Sequence, residues 1–183
     1  MERQALTCTR CPLSVGRTQV VFGVGDASAD LMFVGEGPGA QEDLQGEPFV
    51  GRSGRLLDRL VAEEMGLTRD LFYIANVVMC RPPGNRDPHP DEVAACRPWL
   101  DAKLDLVEPT VIVTLGNFAT RALLGTTQGI ASVRGRAYVL GQRALVPTFH
   151  PAFALRSGGE TVAQMRADLV RAKQFLTSPA AAS

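Results

Sequence analysis

The hydrophobic positions of this chain fall into short unbroken runs, separated by longer stretches in which apolar residues recur every three or four positions. The runs at 31–34, 72–78, 111–115 and 144–148 are rich in β-branched and aromatic side chains and bounded by turn residues, the pattern of strands buried on both faces. Between the first two, Leu56, Leu57, Leu60, Val61 and Met65 share one helical face over 53–65, with Ser53 placed to cap the start and Gly66 to end it. A second helix is expected from Asp91 towards Val107, preceded by Pro90 and followed by Pro109. A short one over 117–124 stops at Gly125, and a long one covers 160–176. Residues 133–140 read as a hairpin that turns at Gly141 and Gln142 into the fourth strand.

Strands separated by helices imply a mostly parallel sheet with helices on both faces. The expectation is an α/β fold, with one domain over 1–178 built on a central four-stranded sheet and a flexible tail at 179–183. Such sheets bind ligands just beyond the carboxyl ends of their strands. The first strand runs into Gly35, Glu36, Gly37, Pro38 and Gly39, the second carries Asn76, the third runs into Gly116 and Asn117, and the fourth into His150. Topology alone thus brings a carboxylate, an amide and an imidazole to one rim.

Composition narrows the class. Of 183 residues, 45% are hydrophobic and 21% charged, which excludes disordered and fibrous proteins. No apolar run approaches the roughly 20 residues that span a bilayer, and the charged N-terminus lacks a signal-peptide core. A cytoplasmic protein with no membrane partner is expected. The net charge of +0 supplies no general attraction for nucleic acid. Lys103 and Lys173 are the only lysines, however, and Arg52, Arg55, Arg81, Arg86, Arg134, Arg136 and Arg156 lie in or beside predicted loops, where planar fork donors suit phosphate.

Cys8 and Cys11 form a CxxC pair, Cys80 follows the second strand, and Cys96 lies on the next helix. In a reducing compartment four thiols point to a metal centre rather than disulfides, although Cys80 and Cys96 would also serve as small buried apolar residues. Zinc and an iron-sulfur cluster are both served by four thiolates. Zinc modules usually pair two short-spaced knuckles, and only one is present here.

Four segments together, the CxxCPL start, GEGPGAQEDLQGEPFVGRSGRLLDRL, YIANVVMCRPPGNRDP with Cys96 beyond it, and FHPAFALR, resemble the family 4 iron-sulfur uracil-DNA glycosylases. The resemblance runs from Cys8 to the final helix. It implies a uracil-DNA glycosylase-like fold and a 4Fe-4S cluster on Cys8, Cys11, Cys80 and Cys96. A covalently trapping relative of this group carries an extra histidine-bearing loop and a histidine where Cys80 stands, and family 5 resembles GLAPG where this chain has GEGPG; both departures point to family 4.

The same resemblance implies roles for single residues. Phe49 matches the ring that stacks on uracil, Asn76 the amide that reads its Watson-Crick edge, and His150 the donor beside uracil O2. Read alone, these would be a core phenylalanine, a turn asparagine and a local backbone cap. Glu36 is the candidate to orient water or stabilise the sugar cation, with Asn85 as a catalytic helper. Gly37 and Glu42 complete the base site, Glu42 as a wall against the thymine methyl. Phe153 and Leu155 are candidates to wedge into the vacated stack, with Arg52, Arg55, Arg86 and Arg156 on phosphates. A dinucleotide loop is excluded at GEGPG because Pro38 removes a donor, Glu36 repels phosphate and the third glycine is missing.

The implied reaction is hydrolysis of the N-glycosidic bond of a flipped uracil, leaving an abasic site without strand cleavage. The expected partner is uracil-containing DNA, bound by a monomer; a replication-clamp contact stays open. Two other classes fit parts of the pattern. A noncatalytic module holding deaminated bases would leave uracil-DNA whole, and a zinc-stabilised interaction domain would be colourless.

Overall fold

A strand with apolar side chains on both faces is satisfied only where both faces are covered, and the four apolar runs accordingly occupy the middle of one sheet. The computed structural model describes residues 1–177; the tail expected at 179–183 lies outside them. The strands are β1 (Val24–Gly25), β2 (Leu31–Gly35), β3 (Tyr73–Asn76), β4 (Val111–Leu115), β5 (Tyr138–Leu140) and β6 (Arg143–Thr148), in the order β1-β3-β2-β4-β6-β5. β3, β2, β4 and β6 are parallel, while β1 and β5 are antiparallel edges.

The sheet therefore has six strands, not four. β1 is only two residues long and ends in glycine, too short to register as a hydrophobic pattern. The expected hairpin is shorter than its sequence suggests: residues 130–133 form a helical turn, and only Tyr138–Leu140 pairs with β6. Val77 and Val78 fall beyond β3 yet extend its ladder, their amides donating to Gly35 O at 2.9 Å and Glu36 O at 3.0 Å.

The helices are α1 (Glu2–Ala5), α2 (Leu13–Gly16), α3 (Ala40–Gln45), α4 (Arg52–Met65), α5 (Pro90–Val107), α6 (Gly116–Leu124), α7 (Ile130–Val133), α8 (Pro151–Ser157) and α9 (Gly159–Thr177). They cover both faces. Met32, Val34, Ala75, Ile112 and Leu145 pack with Trp99, Leu100 and Leu104 of α5 and Ala119 and Leu123 of α6. Leu31, Phe33, Ile74, Val113 and Val146 pack with Leu57, Leu60 and Val61 of α4 and Met165, Leu169 and Ala172 of α9. Alternate residues of β2 thus feed two separate cores, as the two-residue repeat of a strand requires.

Helix starts differ from expectation in their chemistry. Gly51, not Ser53, precedes α4, and no side chain of that residue caps it; the Glu42 carboxylate reaches in from α3 and accepts from the Val50 and Gly51 amides at 3.2 and 3.4 Å. α5 begins at Pro90, and the buried Glu92 carboxylate reaches back to the His89 amide at 2.8 Å while pairing with Arg86. His89 itself is exposed. α9 is anchored by Asp168, 1% exposed, which accepts two bonds from the Arg134 guanidinium at 2.9 Å and one from the Gly135 amide at 3.1 Å.

Removing Asp168 leaves a largely desolvated guanidinium and an orphaned amide. Asp168→Ala is expected to cost about 3 kcal/mol, read as a lower urea midpoint at unchanged slope.

Candidate active site

The carboxyl ends of the four parallel strands open into one cleft of about 870 Å³, large enough for a base with its sugar and neighbouring nucleotides. Glu36, Gly37, Glu42, Phe49, Asn76, Asn85, Arg86, Phe153, Arg156 and His150 all line it. Arg52 and Arg55, exposed on the first turn of α4, and Leu155, exposed on α8, stand outside that lining.

Asn76 ends β3 directly opposite Gly35 of β2. It is 2% exposed, yet neither its Oδ1 nor its Nδ2 has a hydrogen-bond partner. Buried amides are almost always bonded, so an orphan at the floor of a cleft points to a partner that arrives with a ligand. Gly35 makes this packing possible: a Cβ there would fall on Asn76 Oδ1 and within 2.7 Å of the Phe49 ring. Phe49 is 6% exposed and adopts a left-handed backbone at φ 55°. Its ring centroid lies 5.6 Å from that of His150, tilted by 32°.

His150 follows β6 and precedes Pro151, the first residue of α8. Its Nδ1 accepts the Ala152 amide at 3.1 Å. A nitrogen that accepts carries no proton, so the neutral ring holds its hydrogen on Nε2 as a donor. Burial, with Arg156 adding to the effect and Glu42 opposing it, pushes the imidazole pKa down to about 4. The ring is therefore neutral across the physiological range. Burial acts in the opposite sense on Glu36: desolvation first, and then the negative charge of Asp87, raise its pKa to about 7. Asp87 lines the cleft and carried no sequence signal of its own.

Two predicted contacts are already engaged. The Arg86 fork is spent on the buried Glu92, Nη1 to Oε2 at 2.9 Å and Nη2 to Oε1 at 2.7 Å, which holds Glu92 well ionised at about 2. Asn85, left-handed at φ 56°, accepts from Arg81 Nε at 2.8 Å. The far wall of the cleft is clipped by Asn117, whose Oδ1 accepts the Ile130 amide at 2.6 Å. Nothing in the sequence marks that bond, because it joins residues 13 positions apart across a loop.

The four cysteines lie away from the cleft, joined by no disulfide and packed into the α5 face of the core. Cys80 feels Cys8 and Cys11, and Cys96 feels Cys80 and Cys11, while burial raises both inner thiols, Cys96 to about 11. Among the described residues no three His, Cys, Asp or Glu side chains are gathered as a single metal ion needs. Four cysteine thiolates are nonetheless the donor set that a 4Fe-4S cluster would take. Two cations face the group. Arg17 Nη1 donates to Cys80 Sγ at 3.3 Å. Lys103, 1% exposed and two turns along α5 from Cys96, has no hydrogen-bond partner for Nζ, which lies 4.3 Å from the Phe22 ring centroid. Burying an unpaired ammonium is costly, and the negative charge of a thiolate-held metal group would answer it.

The model of the Uracil DNA glycosylase superfamily matches residues 22–173, from the approach to β1 into α9. The class defined by this fold and cleft is therefore that of the superfamily. Among curated proteins, the chain is 45% identical over 172 residues to a type-4 uracil-DNA glycosylase of Thermotoga maritima, covering 92% of this chain and 89% of that protein. It is 44% identical to those of Sulfurisphaera tokodaii over 163 residues (85% and 74%) and Saccharolobus solfataricus over 156 residues (81% and 72%). The chain belongs to the type-4 uracil-DNA glycosylase family.

Because the folded pKa of Glu36 lies above its ordinary 4.5, the folded state holds the extra proton, and the stability due to this group is lost as pH rises through about 7. Glu36→Gln is expected to exceed the wild type in unfolding free energy at pH 8 by about 1 kcal/mol, a figure reduced for the partial exposure of the carboxylate. Denaturant titrations should show that gain vanishing below pH 4.5.

Proposed function

We propose that the cleft receives a uracil flipped out of DNA and hydrolyses its N-glycosidic bond, releasing the base and leaving an abasic site. The observation that carries this reading is the buried, unpartnered Asn76 amide, sharing one cleft with Glu36, Phe49 and His150. Held in one orientation, the amide accepts from uracil N3–H through Oδ1 and donates to O4 through Nδ2. Cytosine presents the reverse pattern and leaves buried polar groups unpaired.

The Phe49 ring stacks on the base, and the His150 Nε2–H donates to O2. Negative charge gathers on O2 as the bond from N1 to C1′ breaks, so this bond strengthens towards the transition state. A neutral donor suits the task because it needs no proton from solution. Glu36 in its carboxylate form orients the attacking water and stabilises the cationic sugar. The electron pair of the broken bond leaves with the base, and the water oxygen bonds to C1′ as its proton passes to the carboxylate. Glu42, bonded to the Val50 and Gly51 amides, walls the pocket at the edge where thymine carries its methyl, and Asn85 stands by the water.

Neither lysine lines the cleft, which supports a monofunctional enzyme without an amine nucleophile. Arg156, Phe153 and Leu155 offer a phosphate contact and a wedge at the mouth, Phe153 and Leu155 both 42% exposed; Arg52 and Arg55 extend the phosphate track, with Arg86 braced by Glu92. Cys8, Cys11, Cys80 and Cys96 hold a 4Fe-4S cluster, whose contribution when bound is to clip the N-terminal segment onto the loop that ends in α5. The protein acts on uracil-containing DNA as a monomer.

A uracil-bearing oligonucleotide is expected to break only after alkali, and one that survives intact over a range of salt and temperature would rule out the enzyme in favour of a base-binding module. Protein purified without oxygen should be brown, with about four iron atoms per chain; a colourless zinc protein would remove the cluster. Excision should decline as pH falls through about 7, where Glu36 gains its proton. Glu36→Gln should lack that limb, and His150→Ala should lower kcat by about 100-fold. Asn76→Asp should erode discrimination against cytosine in a base-panel assay.

A further inference from the structure

Phe49 carries the ring against the base, yet its backbone sits in the left-handed region at φ 55°, which a bulky L-residue adopts only when its surroundings hold it there. Those surroundings are identifiable. Arg69, in the short turn Arg69–Leu71 before β3, donates from Nη1 to Phe49 O at 3.2 Å and from Nη2 to Pro48 O. The same guanidinium is fixed by Asp58 of α4, Nη1 to Oδ1 at 2.9 Å and to Oδ2 at 3.2 Å. On the other flank the Glu42 carboxylate takes the Val50 and Gly51 amides. Gly54 closes the arrangement, since a Cβ there would sit on the Phe49 carbonyl.

Arg69 is absent from the lining of the cleft and reaches the base site only through the peptide units it grips. We propose that Arg69, oriented by Asp58, is a positioning residue for base recognition: it grips the Pro48 and Phe49 carbonyls so that the strained Phe49 presents its ring to the flipped uracil. The inference rests on the reading that Phe49 stacks on the base. An arginine suits this role where lysine would not, because two adjacent carbonyls and a carboxylate need a fork of several donors held in one plane. Without the grip the peptide relaxes towards ordinary backbone angles and the ring leaves its place above Gly35.

The test is a double-mutant cycle on the iron-loaded enzyme, with kcat and KM measured separately on a uracil-containing oligonucleotide. Arg69→Met is expected to lower kcat/KM about tenfold, chiefly through KM, and Asp58→Asn by a smaller factor. Arg69→Lys, which keeps the charge and a single donor nitrogen in place of the planar fork, should recover part of the loss. In a Phe49→Ala background, Arg69→Met should change kcat/KM by less than about twofold, because the ring it serves is gone. An equal tenfold loss in both backgrounds, or no loss in either, overturns the positioning role. Should Phe49→Ala alone leave kinetics unchanged, the stacking reading fails first, which is a distinct result. If Arg69→Met does not fold, Asp58→Asn takes its place in the same cycle.

Discussion

The register of the parallel ladder is the constraint from which the rest of this molecule follows. Gly35 pairs with Asn76 across β2 and β3, and Leu115 with Thr148 across β4 and β6, so the strands end level with one another. A slip of one residue between β2 and β3 would turn Asn76 to the opposite face and exchange the β3 side chains that feed the two cores. Both faces of every central strand are covered by helices. Chemistry is left only the edge where the chain leaves the sheet, and there the loops carrying Glu36, Phe49 and His150 meet.

One physical effect, withdrawal from water, then sets two residues to different work. It raises Glu36 towards 7 and lowers His150 towards 4. Each is driven towards its uncharged form, because a partly dry cleft penalises charge of either sign. The outcome is a donor whose protonation does not vary near neutral pH beside a carboxylate whose protonation does. Asp87 reinforces the second effect, and the Ala152 amide decides which imidazole nitrogen is free to donate.

Much of this was legible in the chain because buried parallel strands and long amphipathic helices leave strong patterns. The runs at 31–34 and 111–115 lie inside β2 and β4, and Gly66 and Gly125 end α4 and α6. The edge strands were not legible: β1 offers two residues, and β5 lies in a segment whose first part coils into α7. α3 was hidden inside a stretch punctuated by Gly37, Gly39 and Gly46. At the site, strand-end logic gathers Glu36, Asn76 and His150 into one cleft. It has no means of foreseeing Asp87 beside Glu36, the Arg86 fork spent on Glu92, or the reach of Arg69 across 20 residues to Phe49. Those depend on side-chain directions across loops, which no local periodicity encodes.

The amide of Asn76, which no protein group bonds, bears on how the cleft holds a ligand. A buried amide that no protein group bonds at either end keeps one acceptor and one donor to offer, so on the proposed reading part of the attraction for a base is the pairing of both. Pairing of this kind makes no distinction between a base still joined to DNA and one already set free. On the proposed reading of this amide, free uracil competes with uracil still in DNA, and the two bonds that favour the base also slow its departure.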